Sequence, residues 1–191
     1  MIYRIIYACV QAWRYRSALA SYIHNHDLQV ASVVDVKPQK LFEQGIQSLI
    51  IDFDGVLASH GEIEPTVIAT QWLRECCKVF GPNRIFILSN RPTLERKHYF
   101  AKYFVGLNFV VATHKKPFPH SILKIIKTTK LSPEEILVLD DRLLTGILAA
   151  IISKVRAYLI TEPFVDHQHC HKRESIYAFV RRLESAIFRH Y

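Results

Sequence analysis

Apolar positions along this chain switch repeatedly between two spacings. Short, mainly apolar runs cover Ser48–Phe53, Arg84–Leu88, Phe109–Ala112, Ile136–Leu139 and Ala157–Ile160, the lengths of strands rather than helices. Between them, apolar residues recur at helical spacing. Pro38–Gln44 is stopped by Gly45, and Pro65–Phe80 places Trp72, Leu73, Cys76 and Phe80 on one face before Gly81. Thr93–Phe104, Phe118–Lys130 and Leu143–Ser153 follow the same pattern. In the closing segment, Glu174–His190, the spacing predicts Ile176, Phe179, Val180, Leu183 and Ile187 inward, with Arg181, Arg182 and Arg189 on a solvated face. Strands without polar alternation are covered on both faces. The expectation is therefore an α/β fold: a doubly wound, Rossmann-like three-layer sandwich with a mainly parallel sheet.

The chain begins with Ile2, Ile5, Ile6, Cys9, Val10 and Trp13 at helical spacing, while Arg4, Gln11 and Arg14 fall elsewhere on the wheel. The polar stretch HNHDLQ separates this start from the rest, which predicts a basic amphipathic segment at 1–27 and one domain at 28–191. The segment has three readings: it packs on the domain, lies in a membrane interface, or is loosely ordered. No apolar stretch reaches the ~20 residues needed to span a bilayer.

Half of the 191 residues are hydrophobic, which excludes a disordered chain. The net charge of +8 favours acidic partners: phosphorylated molecules, anionic lipid or nucleic acid. Cys9, Cys76, Cys77 and Cys170 form no CxxC pair, so a reducing compartment is expected. The run DHQHCH, Asp166 to His171, has metal-ligand composition without zinc spacing and reads as a polar loop.

The chemistry collects where strands end, because ligands of open α/β sheets bind beyond the strand carboxyl ends. The first strand ends in Asp52 and Asp54, the second in Ser89 and Asn90. The third is followed by Lys115, Lys116 and Pro117, and the fourth ends in Asp140 and Asp141. Carboxylates, a hydroxyl with adjacent amides, and an ammonium on one rim suit phosphoryl transfer. A carboxylate can attack phosphorus, a hard cation held by oxygen ligands offsets the charge, and a second carboxyl moves the proton.

At these residues the sequence resembles the haloacid dehalogenase (HAD) superfamily of phosphatases, over roughly Val30 to Pro163. DFDGVL resembles its first motif, Ser89 the second, Lys116 before Pro117 the third, and Asp140-Asp141 the fourth. VVDVKPQKLFEQGIQSLIIDFDGVL, FILSNR, KKP and LLT look like the YqeG-type branch, akin to mitochondrial phosphatidylglycerophosphate phosphatases. The resemblance implies Asp52 as nucleophile, Asp54 as general acid/base, Ser89 with Asn90 on the phosphoryl group, and Lys116 as charge neutraliser. It implies Mg²⁺ as cofactor, held by Asp141, the Asp52 carboxylate and the Asp54 carbonyl, with Asp140 assisting. Two positions depart from the branch: Gly55-Val56 replaces an asparagine-threonine pair, and Gly146 stands where a further aspartate is usual.

The spans from Asp54 to Ser89 and from Ser89 to Lys116 each hold one helix and one strand, leaving no room for a large cap domain. An open rim suits a phosphate carried by something bulky. The expectations are a cytoplasmic phosphatase, peripheral on the inner face of a membrane, with phosphatidylglycerophosphate as substrate. The alternatives are a nucleotide, nucleic-acid end or phosphoprotein as substrate, or a catalytically impaired phosphate-binding scaffold on the same fold.

Overall fold

A computed structural model describes residues 2–112, 114–165 and 171–191, without the side chains of 171–173. The polar-loop reading of Asp166 to Cys170 lies outside the described residues, as does the side chain of His171. The described residues form six parallel strands: β1 (Gln29–Val30), β2 (Ser48–Ile51), β3 (Ile85–Leu88), β4 (Asn108–Val110), β5 (Ile136–Asp140) and β6 (Arg156–Ile160). They lie in the order β1-β6-β5-β2-β3-β4, every neighbouring pair parallel. The helices are α1 (Ile2–Arg14), α2 (Arg16–His24), α3 (Pro38–Glu43), α4 (Val67–Phe80), α5 (Leu94–Tyr103), α6 (His120–Thr129), α7 (Leu148–Ser153) and α8 (His171–Phe188). The doubly wound α/β sandwich expected from the apolar pattern is the fold observed.

Strand alternation splits the core into two layers. Leu49, Ile51, Ile85, Ile87, Leu137 and Leu139 face Leu41, Trp72, Leu73 and Phe100 from α3, α4 and α5. Ile50, Phe86, Leu88, Val138 and Leu159 face the other way, onto Leu19, Ile122, Ile125 and Leu148 from α2, α6 and α7. Thr66 caps α4 by accepting from the Ala69 N–H, and Thr93 caps α5 by accepting from the Arg96 N–H. Both helices are thereby anchored close to the strand ends that carry the polar residues. The two-residue edge strand β1 is too short to leave a period in the sequence.

β2 lies between β5 and β3, and the chain winds outward from it in both directions. Its carboxyl end is the topological switch point, where the crossovers diverge and leave a crevice. Asp52 follows directly, its N–H still bonded to the Leu139 carbonyl at 2.9 Å.

The closing helix departs from its expected orientation. Ile176 and Phe179 on α8 are 62% and 65% exposed, and Leu183 and Ile187 are also exposed, whereas Glu174 and Glu184 are buried. The apolar stripe points outward and the polar face inward, because the charged residues find partners on the rim. The solvated-face reading of Arg181 fails for the same reason: its guanidinium donates to Asp141 at 2.8 Å.

Candidate active site

Three strand ends and one loop meet at the switch point. Asp52 is carried past β2, Asp140 ends β5 and Asp141 follows it. Oxygens of these three carboxylates all lie within 4.8 Å of one another. Lys116 is buried among them, its Nζ 3.0 Å from Asp52 Oδ2 and 2.5 Å from Asp140 Oδ2. Asn90 fixes the lysine loop: its Oδ1 accepts from the Lys116 N–H at 2.8 Å, and its Nδ2 donates to the Lys116 carbonyl at 3.4 Å. The amide thus sits one step behind the cation, and Asn90 also lines the cleft.

Gly55 and Gly146 are spaces that the carboxylates require. Gly55 has φ +85°, and a Cβ there would lie 2.6 Å from Asp141 Oδ2. A Cβ at Gly146 would overlap the Asp140 carboxylate. Asp140 at the strand end and glycine at 146 are therefore one packing solution, and the departure at 146 needs no loss of the acidic cluster to explain it.

Asp54 points to a different partner. Arg96 of α5 grips it with both terminal nitrogens, Nη2 to Oδ1 at 2.7 Å and Nη1 to Oδ2 at 2.9 Å. Ser89 Oγ donates to Oδ2 at 3.3 Å and the Gly61 N–H to Oδ1 at 3.3 Å. Ser89 also accepts from the Arg91 N–H at 3.0 Å. Arg96 sits among the residues of its own amphipathic helix, so nothing in the pattern separates it from an exposed arginine; its position under the loop after β2 is a tertiary fact.

α8 closes the opposite side. Glu174 accepts from the His60 N–H at 2.8 Å and lies 3.1 Å from its Nδ1, while Tyr177 stacks on the His60 ring at 3.9 Å. Glu184 receives Arg142 and, at 3.0 Å, the Leu143 N–H. None of His60, Glu174, Tyr177, Arg181 or Glu184 was legible as a site residue. His60, Tyr177 and Val180, together with Arg4 of α1, Asn90, Arg91, Lys115, Arg142 and Thr145, wall an open cleft of about 350 Å³ reaching Asp52, Asp54 and Asp141.

The charges explain the titration behaviour. Burial, with help from the neighbouring carboxylates, pushes Asp52 well above the usual range against the pull of Lys116. Burial and then Asp140 push Asp141 up to about 7, with Arg181 opposing. Burial alone would raise Asp54 too, but the hydrogen bonds and charge of Arg96 hold it below the usual value. Lys116, though its burial disfavours charge, is held protonated by Asp140 and Asp52.

Four carboxylates, Asp52, Asp54, Asp140 and Asp141, are thus met by three cations, Lys116, Arg96 and Arg181. With all four ionised, one negative charge would be left over at a rim of oxygen donors, and a divalent hard cation, in displacing the protons that burial favours on Asp52 and Asp141, would turn that into a net positive site fit for phosphate. The acidic cluster fits the group that the resemblance implies.

The parallel sheet and this strand-end arrangement are those that the resemblance to the HAD superfamily implies. Residues 20–164 match the family model described as "Mitochondrial PGP phosphatase", and the chain belongs to that family. It is 26% identical over 119 residues to "Probable phosphatase YqeG" of Bacillus subtilis (strain 168), a match spanning 62% of this chain and 66% of that protein. One solved structure shares the fold at a TM-score of 0.53 and 9% identity, covering 74% of this chain and 82% of its own. A looser match, at TM-score 0.38 and 12% identity over 60% of this chain and 94% of the other, is a HAD family enzyme from Bacteroides thetaiotaomicron in complex with magnesium and inorganic phosphate. Among the described residues, no helix is long and apolar enough to cross a membrane.

Proposed function

We propose that this chain is a Mg²⁺-dependent phosphomonoesterase that works through an aspartyl-phosphate on Asp52, with phosphatidylglycerophosphate at an anionic membrane surface as substrate. The observation that carries the reading is Asp52 at the switch point, 3.0 Å from Lys116 and within 4.8 Å of Asp140 and Asp141. An Asp52 carboxylate oxygen attacks phosphorus as the bond from phosphorus to the alcohol oxygen breaks, and that oxygen takes the proton of the Asp54 carboxyl, which Arg96 keeps ionised in the free chain and which gains its proton as the anionic phosphate binds beside it. Water then gives a proton to Asp54 and attacks phosphorus, breaking its bond to Asp52 and releasing inorganic phosphate. Lys116 and the Ser89 hydroxyl meet the charge on the phosphoryl oxygens. Mg²⁺, held by Asp52, Asp141 and the Asp54 carbonyl with Asp140 beside them, supplies electrostatic compensation between the two anions.

The lipid part of the proposal rests on α1. Ile2, Ile5, Ile6, Val10 and Trp13 are each more than half exposed, and Arg4 of the same helix lines the cleft. No acidic residue precedes Asp27, so the helix offers an apolar stripe in a purely basic stretch to an anionic bilayer. Tyr7 stacks on Phe118 at 4.4 Å, holding the helix beside the cleft mouth.

The test is phosphate release from vesicles containing phosphatidylglycerophosphate, with and without Mg²⁺. Wild type should turn over only with the cation, and Asp52→Asn should lose on the order of 10³-fold or more. Equal rates for the two proteins would end the enzymatic reading. Ile5→Glu/Ile6→Glu should reduce turnover on vesicles while sparing a short-chain soluble phosphomonoester; equal losses on both would remove the membrane role. Turnover confined to nucleotides, nucleic-acid ends or phosphopeptides would replace the substrate and keep the chemistry.

A further inference from the structure

Arg96 is buried, 2% exposed, yet it does not line the cleft. Its guanidinium lies 4.0 Å from the Phe53 ring centroid, in the loop between the two site aspartates. Nε donates to the Glu62 carbonyl at 2.8 Å and Nη1 to the Arg91 carbonyl at 3.1 Å, in addition to the two bonds to Asp54. Every bond thus ties the loop after β2 and the loop after β3 to one planar group. A lysine offers a point charge and no such fork.

We propose that Arg96 is the positioning residue for proton transfer: it grips Asp54 from behind the cleft and aims one edge of its carboxyl at the leaving-group oxygen. The inference rests on the phosphatase reading above and deepens it. Arg96 occupies one edge of the carboxyl, at 2.7 and 2.9 Å, while Ser89 Oγ and the Gly61 N–H approach at a longer 3.3 Å. Ser89 has a single hydroxyl proton. When that proton turns to a phosphoryl oxygen, Asp54 Oδ2 loses its weakest donor and keeps its strongest. The oxygen released is the one beside the bound phosphate, and the fork keeps the carboxyl from rotating away. Arg96 acts only through Asp54, because it has no access to the substrate.

Leaving groups separate this role from a structural one. An alkoxide needs a proton as it departs, whereas p-nitrophenolate leaves without one, so misplacing Asp54 must hurt alkyl phosphates selectively. The quantity to compare is kcat/KM, which covers only the steps up to loss of the alcohol. The substrates are glycerol 3-phosphate and p-nitrophenyl phosphate, both with Mg²⁺. Arg96→Lys and Arg96→Gln should each lower kcat/KM for the alkyl ester about tenfold or more beyond the loss on the aryl ester, on the scale of general acid catalysis. Asp54→Asn should show the same asymmetry, and Asp54→Asn/Arg96→Lys should be no more selective than Asp54→Asn alone, since the two act as one unit. The ratio of the two substrates in one preparation is independent of the fraction folded, so partial unfolding does not blur it. Equal losses on both esters, or selectivities that multiply in the double variant, overturn the inference. If wild type shows no Asp52-dependent turnover, the phosphatase reading fails and this role goes with it; if wild type is active and the ratio stays put, only the role of Arg96 fails.

Discussion

α4 and α8 have the same amphipathic pattern and bury opposite faces. On α4, Trp72, Leu73, Cys76 and Phe80 sit in the core. On α8, Ile176, Phe179, Leu183 and Ile187 face solvent, and the charged side is held against the rim by Glu174, Arg181 and Glu184. The sheet face under α4 is apolar, so burying the stripe is the only gain open to it. α8 meets instead a rim of carboxylates, an arginine and unpaired N–H groups, which cannot be buried without partners. Charge-assisted bonds from α8 satisfy them, and the apolar stripe is left over. An amphipathic helix thus buries whichever face its neighbours need.

Four substitutions can break that contrast. Leu73→Ala, in the fully buried stripe of α4, should destabilise the chain by roughly 2–5 kcal/mol in denaturant melts. Glu184→Ala strips the carboxylate from Arg142 and from the Leu143 N–H, and should cost about 2–3 kcal/mol, the partial exposure of Arg142 reducing the loss. If Glu184→Ala proves milder than cutting back the outward stripe, α8 is not held by its polar face.

Arg181→Met gives a smaller effect, read through pH. Between about pH 4 and pH 7 the folded, metal-free chain keeps a proton on Asp141 that the unfolded chain has released. Stability without metal therefore falls as pH rises across that window, and Asp52 contributes with the same sign. Mg²⁺ must displace that proton, so its stabilising effect on Tm should grow with pH through about 7. Removing Arg181 takes away a cation that lowers Asp141, so the Mg²⁺ effect should move to higher pH by up to about one unit. A downward move would contradict the Arg181–Asp141 pairing. Smallest of all, Leu183→Ala on the exposed stripe should cost no more than about 0.5 kcal/mol; a loss matching that of Leu73→Ala would mean that the stripe is buried after all.

The strand side of the site was readable from local order alone. A buried parallel strand must be apolar, so its end is marked wherever a carboxylate or hydroxyl interrupts it, as at Asp52, Ser89 and Asp140. The helix side was not. Arg96 belongs to a helix rich in charged residues, His60 to a loop, and Glu174, Arg181 and Glu184 to a helix whose apolar spacing pointed the wrong way. Each acquires its role from a residue far off in the chain, such as Arg96 from Asp54 and Arg181 from Asp141.

Apolar periodicity and the order of polar strand ends were enough to specify the layered parallel fold and to bring Asp52, Lys116, Asp140 and Asp141 to one rim, because strand burial and switch-point topology act through near neighbours along the chain. Folding in three dimensions settled which cation faces which carboxylate, that Gly146 is the space filled by Asp140, and which way α8 turns. Those outcomes depend on long-range charge pairing in a buried setting, where an unpartnered group costs more than an exposed leucine.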